Sequence, residues 1–176
     1  MINFIRGDLI KMVKDDKLDA VCHQCNCVTG GNVAGFANIL CNNFPEVRTT
    51  LEGVTNTHNL FGTCVNTMAP VNDNIVIIGN LFAQYYPGES LLSSDSFDVR
   101  LKKLEQSFMS FLEMCNSFNI KEIGCPLLAS GIGKSMNSNL SDLEYFKKYI
   151  FPTIENLYNW VETNKNFKFN LNIVYL

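Results

Sequence analysis

Two apolar runs, residues 18–25 and 120–128, each break into a glycine-bearing loop that precedes a helix-forming stretch. A repeated strand, loop and helix is the pattern of a sheet sandwiched between helices, because helices must cover the faces that such strands bury. The rest of the chain falls into place around this pair. Residues 2–6 read as a strand, and Asp8 opens a short helix through Val13. Helical spacing resumes at Val33–Leu40 and stops near Asn42, Asn43 and Pro45. Residues 63–69 and 75–82 are apolar runs around the turn residues Pro70–Asn74, hence a hairpin. Phe97, Leu101, Leu104, Phe108, Phe111, Leu112, Cys115 and Phe118 recur mostly at spacings of three and four, the stripe of an amphipathic helix. A last helix spans 140–162 with a kink or restart at Pro152, and residues 171–176 close the chain as a strand. The expected fold is α/β, with one mixed sheet between helices. At 176 residues, the expected domain count is one, covering 1–176.

Composition narrows the function classes. Apolar residues make up 47% of the chain and charged residues 18%, and no apolar run approaches the roughly 18 residues of a membrane span. The first residues have neither the basic start nor the long apolar stretch of a secretory signal. The seven cysteines, Cys22, Cys25, Cys27, Cys41, Cys64, Cys115 and Cys125, sit mostly inside apolar runs. They read as reduced, buried thiols, so the expected location is the cytoplasm. A net charge of −3, with only short lysine pairs at 102–103 and 147–148, makes nucleic acid an unexpected partner. The arginines are Arg6, Arg48 and Arg100, too scattered to form a cluster around a phosphate.

The loop from Asn26 to Gly35 carries Gly30, Gly31, Asn32 and Val33 between a strand and a helix. Consecutive glycines let backbone approach a ligand and expose its N–H groups, and the helix that follows adds a positive end. A plain glycine turn explains the loop equally well. The second loop, Ser130-Gly131-Ile132-Gly133-Lys134-Ser135, repeats the same physics. It ends like the phosphate loop of nucleotide triphosphatases, but Leu128 stands where that motif needs its first glycine. Two such loops at one sheet edge point to a diphosphate held by backbone amides. Cys22 and Cys25 have a metal-ligand spacing, but alternation along a strand turns them to opposite faces, so no metal and no cofactor are expected. A cysteine-dependent phosphatase would need an arginine soon after Cys25, and none follows within twenty residues. His23 admits two readings, a satisfied core histidine or a proton carrier beside the loop. Asp8 and Asn26 admit a plain capping role.

Taken in order, these motifs resemble the macrodomain family over nearly the whole chain. Arg6-Gly7-Asp8-Leu9 is similar to that family's first strand-to-helix turn, where the aspartate accepts a hydrogen bond from the adenine amino group. Cys25-Asn26-Cys27 with Gly30-Gly31-Asn32-Val33-Ala34-Gly35 resembles its first ligand loop, which places Asn26 at the distal ribose. Cys125–Gly133 resembles the second loop, with Ser130, Gly131, Ile132 and Gly133 along the diphosphate. The resemblance implies a three-layer α/β/α fold with a mixed central sheet, a monomer, and ADP-ribose or a derivative as ligand, with an ADP-ribosylated protein as a further partner. The string His23–Cys27 is most like the ADP-ribose-1″-phosphate phosphatase branch, which implies catalysis by His23 with Asn26 and an acid, Asp95 or Asp98. Asn32 departs from the family's usual glycine. Lys134 stands where the deacylating group has an aspartate. The expected function is metal-independent hydrolysis of a phosphate or ester at the distal ribose. The alternatives are a binding module without turnover, and a sponge or sensor for a related nucleotide signal.

Overall fold

The computed structural model describes residues 1–54, 58–89, 92–130 and 138–176. The chain begins with β1 (Ile2–Arg6), and α1 (Leu9–Lys14) follows, its first turn closed by Lys11 N–H donating to the Asp8 carboxylate at 3.0 Å. After β2 (Ala20–Asn26) come α2 (Gly35–Asn43) and α3 (Pro45–Gly53). The hairpin β3 (Cys64–Val71) and β4 (Asn74–Gln84) leads to the long helix α4 (Phe97–Ser117). The remaining elements are β5 (Glu122–Cys125), α5 (Asp142–Tyr145), α6 (Phe151–Asn164) and β6 (Asn170–Tyr175).

Proline decides three boundaries, the first two differently from the sequence-based expectation and the third as the expected break at Pro152. Pro45 starts α3 instead of ending helical structure, since a proline at the first helical position lacks only an N–H that would be unpaired there. Pro126 stops β5 at Cys125, short of the expected 128, because it cannot donate to the ladder. The expected helix 140–162 is split by a wide turn, Phe146–Ile150, with i to i+5 bonding just ahead of Pro152.

The six strands form one sheet in the order β1-β6-β5-β2-β4-β3. β1, β6, β5, β2 and β4 are parallel, and β3 alone runs antiparallel, paired to β4 through the hairpin. Helices cover both faces. One core packs α4 and α6 on the sheet through Phe108, Phe111, Phe146, Ile154 and Tyr158. The other packs α1, α2 and α3 through Leu9, Val13, Leu40, Val47 and Leu51. β2 alternates between them, Ala20 and Cys22 facing the first core, Val21 and Cys25 the second. No disulfide links the seven cysteines, and six of them are buried. Among the described residues, no helix is long and apolar enough to cross a membrane.

The sheet leaves little slack where α4 crosses it. A Cβ on Gly79 of β4 would lie 2.4 Å from Cδ2 of Phe111, whose ring is fully buried. Gly79→Ala should therefore destabilise the fold by about 1–3 kcal/mol, the usual scale of overpacking, read as a lower urea midpoint at unchanged slope.

Candidate functional site

Because five strands run parallel, their C-terminal ends share one edge, and a cleft of about 1110 Å³ runs along it. Arg6–Ile10 line it at the end of β1, Val174–Leu176 at β6, Pro126–Ala129 at β5, and Gln84, Pro87 and Gly88 at β4. The loop after β2 forms its central wall. Open parallel sheets bind ligands at this position.

At the β1 end, Asp8 is exposed and spends one carboxylate oxygen on capping α1. Leu9 beside it is buried with its side chain in the core, yet also borders the cleft. In the central wall, Asn26 folds the loop upon itself. Its Oδ1 accepts from Val28 N–H at 2.9 Å and Thr29 N–H at 2.8 Å, while Nδ2 donates to Thr29 Oγ1 at 2.8 Å. Gly30 turns with φ of 54°, a left-handed conformation that favours glycine. Gly31 needs its missing side chain for a different reason: a Cβ would lie 2.5 Å from Glu52 Cγ. Its carbonyl accepts from Arg48 Nη1 at 2.6 Å, so Gly31 anchors the loop on α3 from behind and does not line the cleft. Gly30, Asn32 and Val33 do line it. α2 then begins at Gly35 without a side-chain cap, and Gly35, Phe36 and Ala37 border the cleft. Uncapped N–H groups at a helix start attract anions, worth about 0.3–1 kcal/mol from the dipole alone.

In the second loop, Ala129 has φ of 57° and Ser130 is fully buried, its hydroxyl donating to the Leu127 carbonyl at 2.7 Å. Ser130 thus shapes the turn from inside. Gly131, Ile132 and Gly133 lie outside the described residues.

His23 borders the cleft but is 1% exposed. Its Nε2 lies 2.7 Å from Asn80 Oδ1. Asn80 Nδ2 donates to the Val65 carbonyl and to Thr67 Oγ1, which turns Oδ1 towards the ring. Nε2 therefore carries the proton and Nδ1 the lone pair. Burial lowers the His23 pKa from 6.5 to about 4, the Asn80 bond offsetting only part of the effect. Cys25 Sγ is 3.5 Å from Nε2, and burial pushes that thiol well up. The pair is neutral on both sides, the opposite of a thiolate–imidazolium nucleophile.

Asp95 is likewise 1% exposed, and it is fully engaged. It accepts from Arg100 Nε at 3.0 Å and Nη2 at 2.5 Å, and from the Tyr85 and Tyr86 N–H groups at 2.9 and 3.1 Å. Arg100 also donates to the Gly88 carbonyl at 2.7 Å. Asp95 does not line the cleft; with Arg100 it pins the 85–88 segment that forms the rim. Asp98 lies exposed in the first turn of α4, also away from the cleft. Among the described residues, no group of three or more His, Cys, Asp or Glu side chains is arranged to hold a metal.

No protein-family model matches the sequence, and no curated protein does either. Solved structures do match. The chain is similar to the macrodomain of Mycobacterium tuberculosis DarG, at 19% identity and a TM-score of 0.63 over 100% of this chain and 98% of that one. It is similar to Thermosipho africanus DarTG in complex with ADP-ribose, at 16% identity and a TM-score of 0.67 over 99% of this chain and 42% of that one. An Oceanobacillus iheyensis macrodomain with ADP matches at 13% identity and a TM-score of 0.63, over 98% of this chain and 82% of that one. The fold is that of a macrodomain.

On this macrodomain fold, Asp8, Leu9, His23, Asn26, Gly30, Asn32 and Val33 come together on one cleft, while Gly31, Ser130 and Asp95 support it from outside. Gln84, Pro87 and Gly88 also line the cleft and carry no motif that sequence reasoning could find, and Gln24 lines it from within the His23–Cys27 string. Arg100 was legible only as a residue of a helix.

The His23 environment makes a stability prediction. Above about pH 6.5 the residue is neutral in both folded and unfolded chains and contributes no pH dependence. As pH falls towards about 4 the unfolded chain takes up the proton first, so stability declines, by about 3 kcal/mol in total. Urea midpoints between pH 7.5 and 4 should show this loss, and His23→Gln, which retains a donor for Asn80, should flatten it.

Proposed function

We propose that this chain binds ADP-ribose or a close derivative along the cleft. The adenine sits at the Asp8 end, the diphosphate lies against the loop from Gly30 and the start of α2, and the distal ribose reaches Asn26. One observation carries the reading: a single cleft offers a carboxylate at one end, uncapped backbone donors in the middle and side-chain amides at the other. From β1 to β4 is four strand spacings, about 19 Å, which suits a ligand with two ribose-bearing ends joined by a diphosphate. Arg48 and Arg100 are committed to the Gly31, Tyr86 and Gly88 carbonyls and to Asp95, and Arg6 lines the cleft at the β1 end, so the backbone donors at the start of α2 are the groups offered to a diphosphate in the middle. The Thermosipho africanus protein holds ADP-ribose and the Oceanobacillus iheyensis macrodomain holds ADP, which supports the same ligand class here.

Hydrolysis of a phosphate or ester at the distal ribose is the second reading. The observation that favours it is the place of His23 in the cleft wall, with a fixed tautomer and an unprotonated Nδ1. Two features of the wall weigh against turnover by His23 and Asp95. A pKa near 4 makes His23 a weak base at neutral pH, and Asp95 is locked in its ion pair. Phosphate release from ADP-ribose-1″-phosphate that falls about 10²–10⁴-fold in His23→Gln would establish the second reading instead.

Calorimetry tests the binding reading. ADP-ribose should bind and raise the melting temperature, because a ligand selective for the folded state stabilises it. Asp8→Ala should weaken ADP-ribose roughly tenfold to a hundredfold, the worth of a hydrogen bond to a charged group, and leave ribose 5-phosphate unaffected. Equal losses for both ligands would reduce Asp8 to a helix cap, and no heat with millimolar ADP-ribose would overturn the function.

A further inference from the structure

The β1 end of the cleft carries a charge that the binding reading leaves without a task. Among the described residues, Arg6 alone of the lysines and arginines lines the cleft. Its place follows from the sheet. Along β1, Phe4 packs on the first core and Ile5 on the second, so alternation returns Arg6 to the side of Phe4. Arg6 is the parallel partner of Tyr175. Val174 packs on the second core, so Tyr175 falls on the same side of the sheet as Arg6. Both residues end their strands there, and both line the cleft.

Arg6 is exposed, and it is paired with neither of the carboxylates that line the cleft among the described residues, Asp8 and Asp142. Asp8 turns one oxygen to Lys11 N–H instead. The other arginines spend their donors on the protein, Arg48 on the Gly31 carbonyl and Arg100 on Asp95 and the Gly88 carbonyl. Arg6 keeps its fork of N–H donors for whatever enters the cleft. The middle of the cleft already offers the uncapped start of α2 to a diphosphate, so an anion met by Arg6 has to sit elsewhere on the ligand. With adenine at the Asp8 end, the neighbouring part of an ADP-ribose-type ligand is the adenosine-side ribose, whose 2′ and 3′ hydroxyls can each carry a phosphate. Dinucleotide sites at the ends of parallel strands divide the work the same way: an acidic residue reads a free ribose hydroxyl, and an arginine accommodates a phosphate on it.

We infer that Arg6 forms a subsite for a phosphate monoester on the adenosine-side ribose, so that the cleft prefers ligands of the ADP-ribose class phosphorylated there to those that are not. The inference rests on the binding reading above and narrows its ligand class. Above its second pKa of about 6 such a phosphate offers only acceptors, and a guanidinium meets two of them with parallel N–H donors. Asp8 and Asp142 oppose an anion in the cleft, so the preference depends on Arg6.

Displacement calorimetry at pH 8, with ADP-ribose as the ligand displaced, tests this by comparing adenosine 5′-phosphate with adenosine 2′,5′-bisphosphate and adenosine 3′,5′-bisphosphate. In the wild type at least one bisphosphate should bind about fivefold or more tighter than the monophosphate, the lower end for a charge-assisted pair open to solvent, and the tighter of the two identifies the hydroxyl. Arg6→Met should abolish or reverse that order, because Asp8 and Asp142 remain. Lys17→Met, at an exposed position outside the cleft, removes the same charge and should keep the order, which separates a subsite from general attraction. A smaller gain for both bisphosphates in the wild type overturns the inference and needs no variant. A preference that survives in Arg6→Met, or that Lys17→Met loses equally, overturns it too. In these outcomes ADP-ribose still binds and the binding reading survives. Failure of the wild type to bind ADP-ribose overturns both.

Discussion

The parallel alignment of β1, β6, β5, β2 and β4 is the constraint on which the site depends. Parallel strands cannot be joined by tight turns, so each is left by a loop and re-entered after a crossover. All five loops therefore leave at one edge, and residues as distant in sequence as Asp8, Asn26 and Gly88 line a single cleft. The antiparallel β3 contributes differently. It closes the sheet beyond β4, and the Val65 carbonyl and Thr67 hydroxyl on it orient Asn80, which in turn orients His23.

Much of this frame was legible in the sequence, because apolar periodicity and turn residues act locally. The hairpin showed itself through Pro70–Asn74 between two apolar runs, and α4 through its stripe of Leu104, Phe108, Phe111 and Cys115, all now in one core. Asp8, Asn26 and Gly30 could be named because strand-to-helix loops with such residues have few local uses. Proline was harder to read. The same residue ends a helix when it falls in the interior and starts one when it falls at the first position, and only the packing of Val47 and Leu51 shows which applies at Pro45.

The rest was hidden because it arises between strands. Asp95 looks, in sequence, like an acid in a loop after a hairpin. Its role is decided by Arg100 one turn into α4 and by two backbone N–H groups at the end of β4. Gln24 and Gln84 are sixty positions apart and meet only because β2 and β4 pair in parallel with a register shift at Cys25 and Asn26. Gly31 illustrates the same limit at close range. It belongs to a loop that lines the cleft, yet its lack of a side chain answers to Glu52 on α3.

Direction is what these buried polar groups share. Asn80 can bond to Val65 and Thr67 in only one orientation, and that orientation decides which nitrogen of His23 holds the proton. The Tyr86 carbonyl decides which end of Gln84 faces Gln24. In a desolvated wall, a polar group turned the wrong way costs about 1–3 kcal/mol, so each network settles into one arrangement. The same desolvation that fixes the arrangement lowers the basicity of His23 and raises the Cys25 pKa, holding both neutral. A wall built this way is suited to discriminate among ligands by matching donors to acceptors.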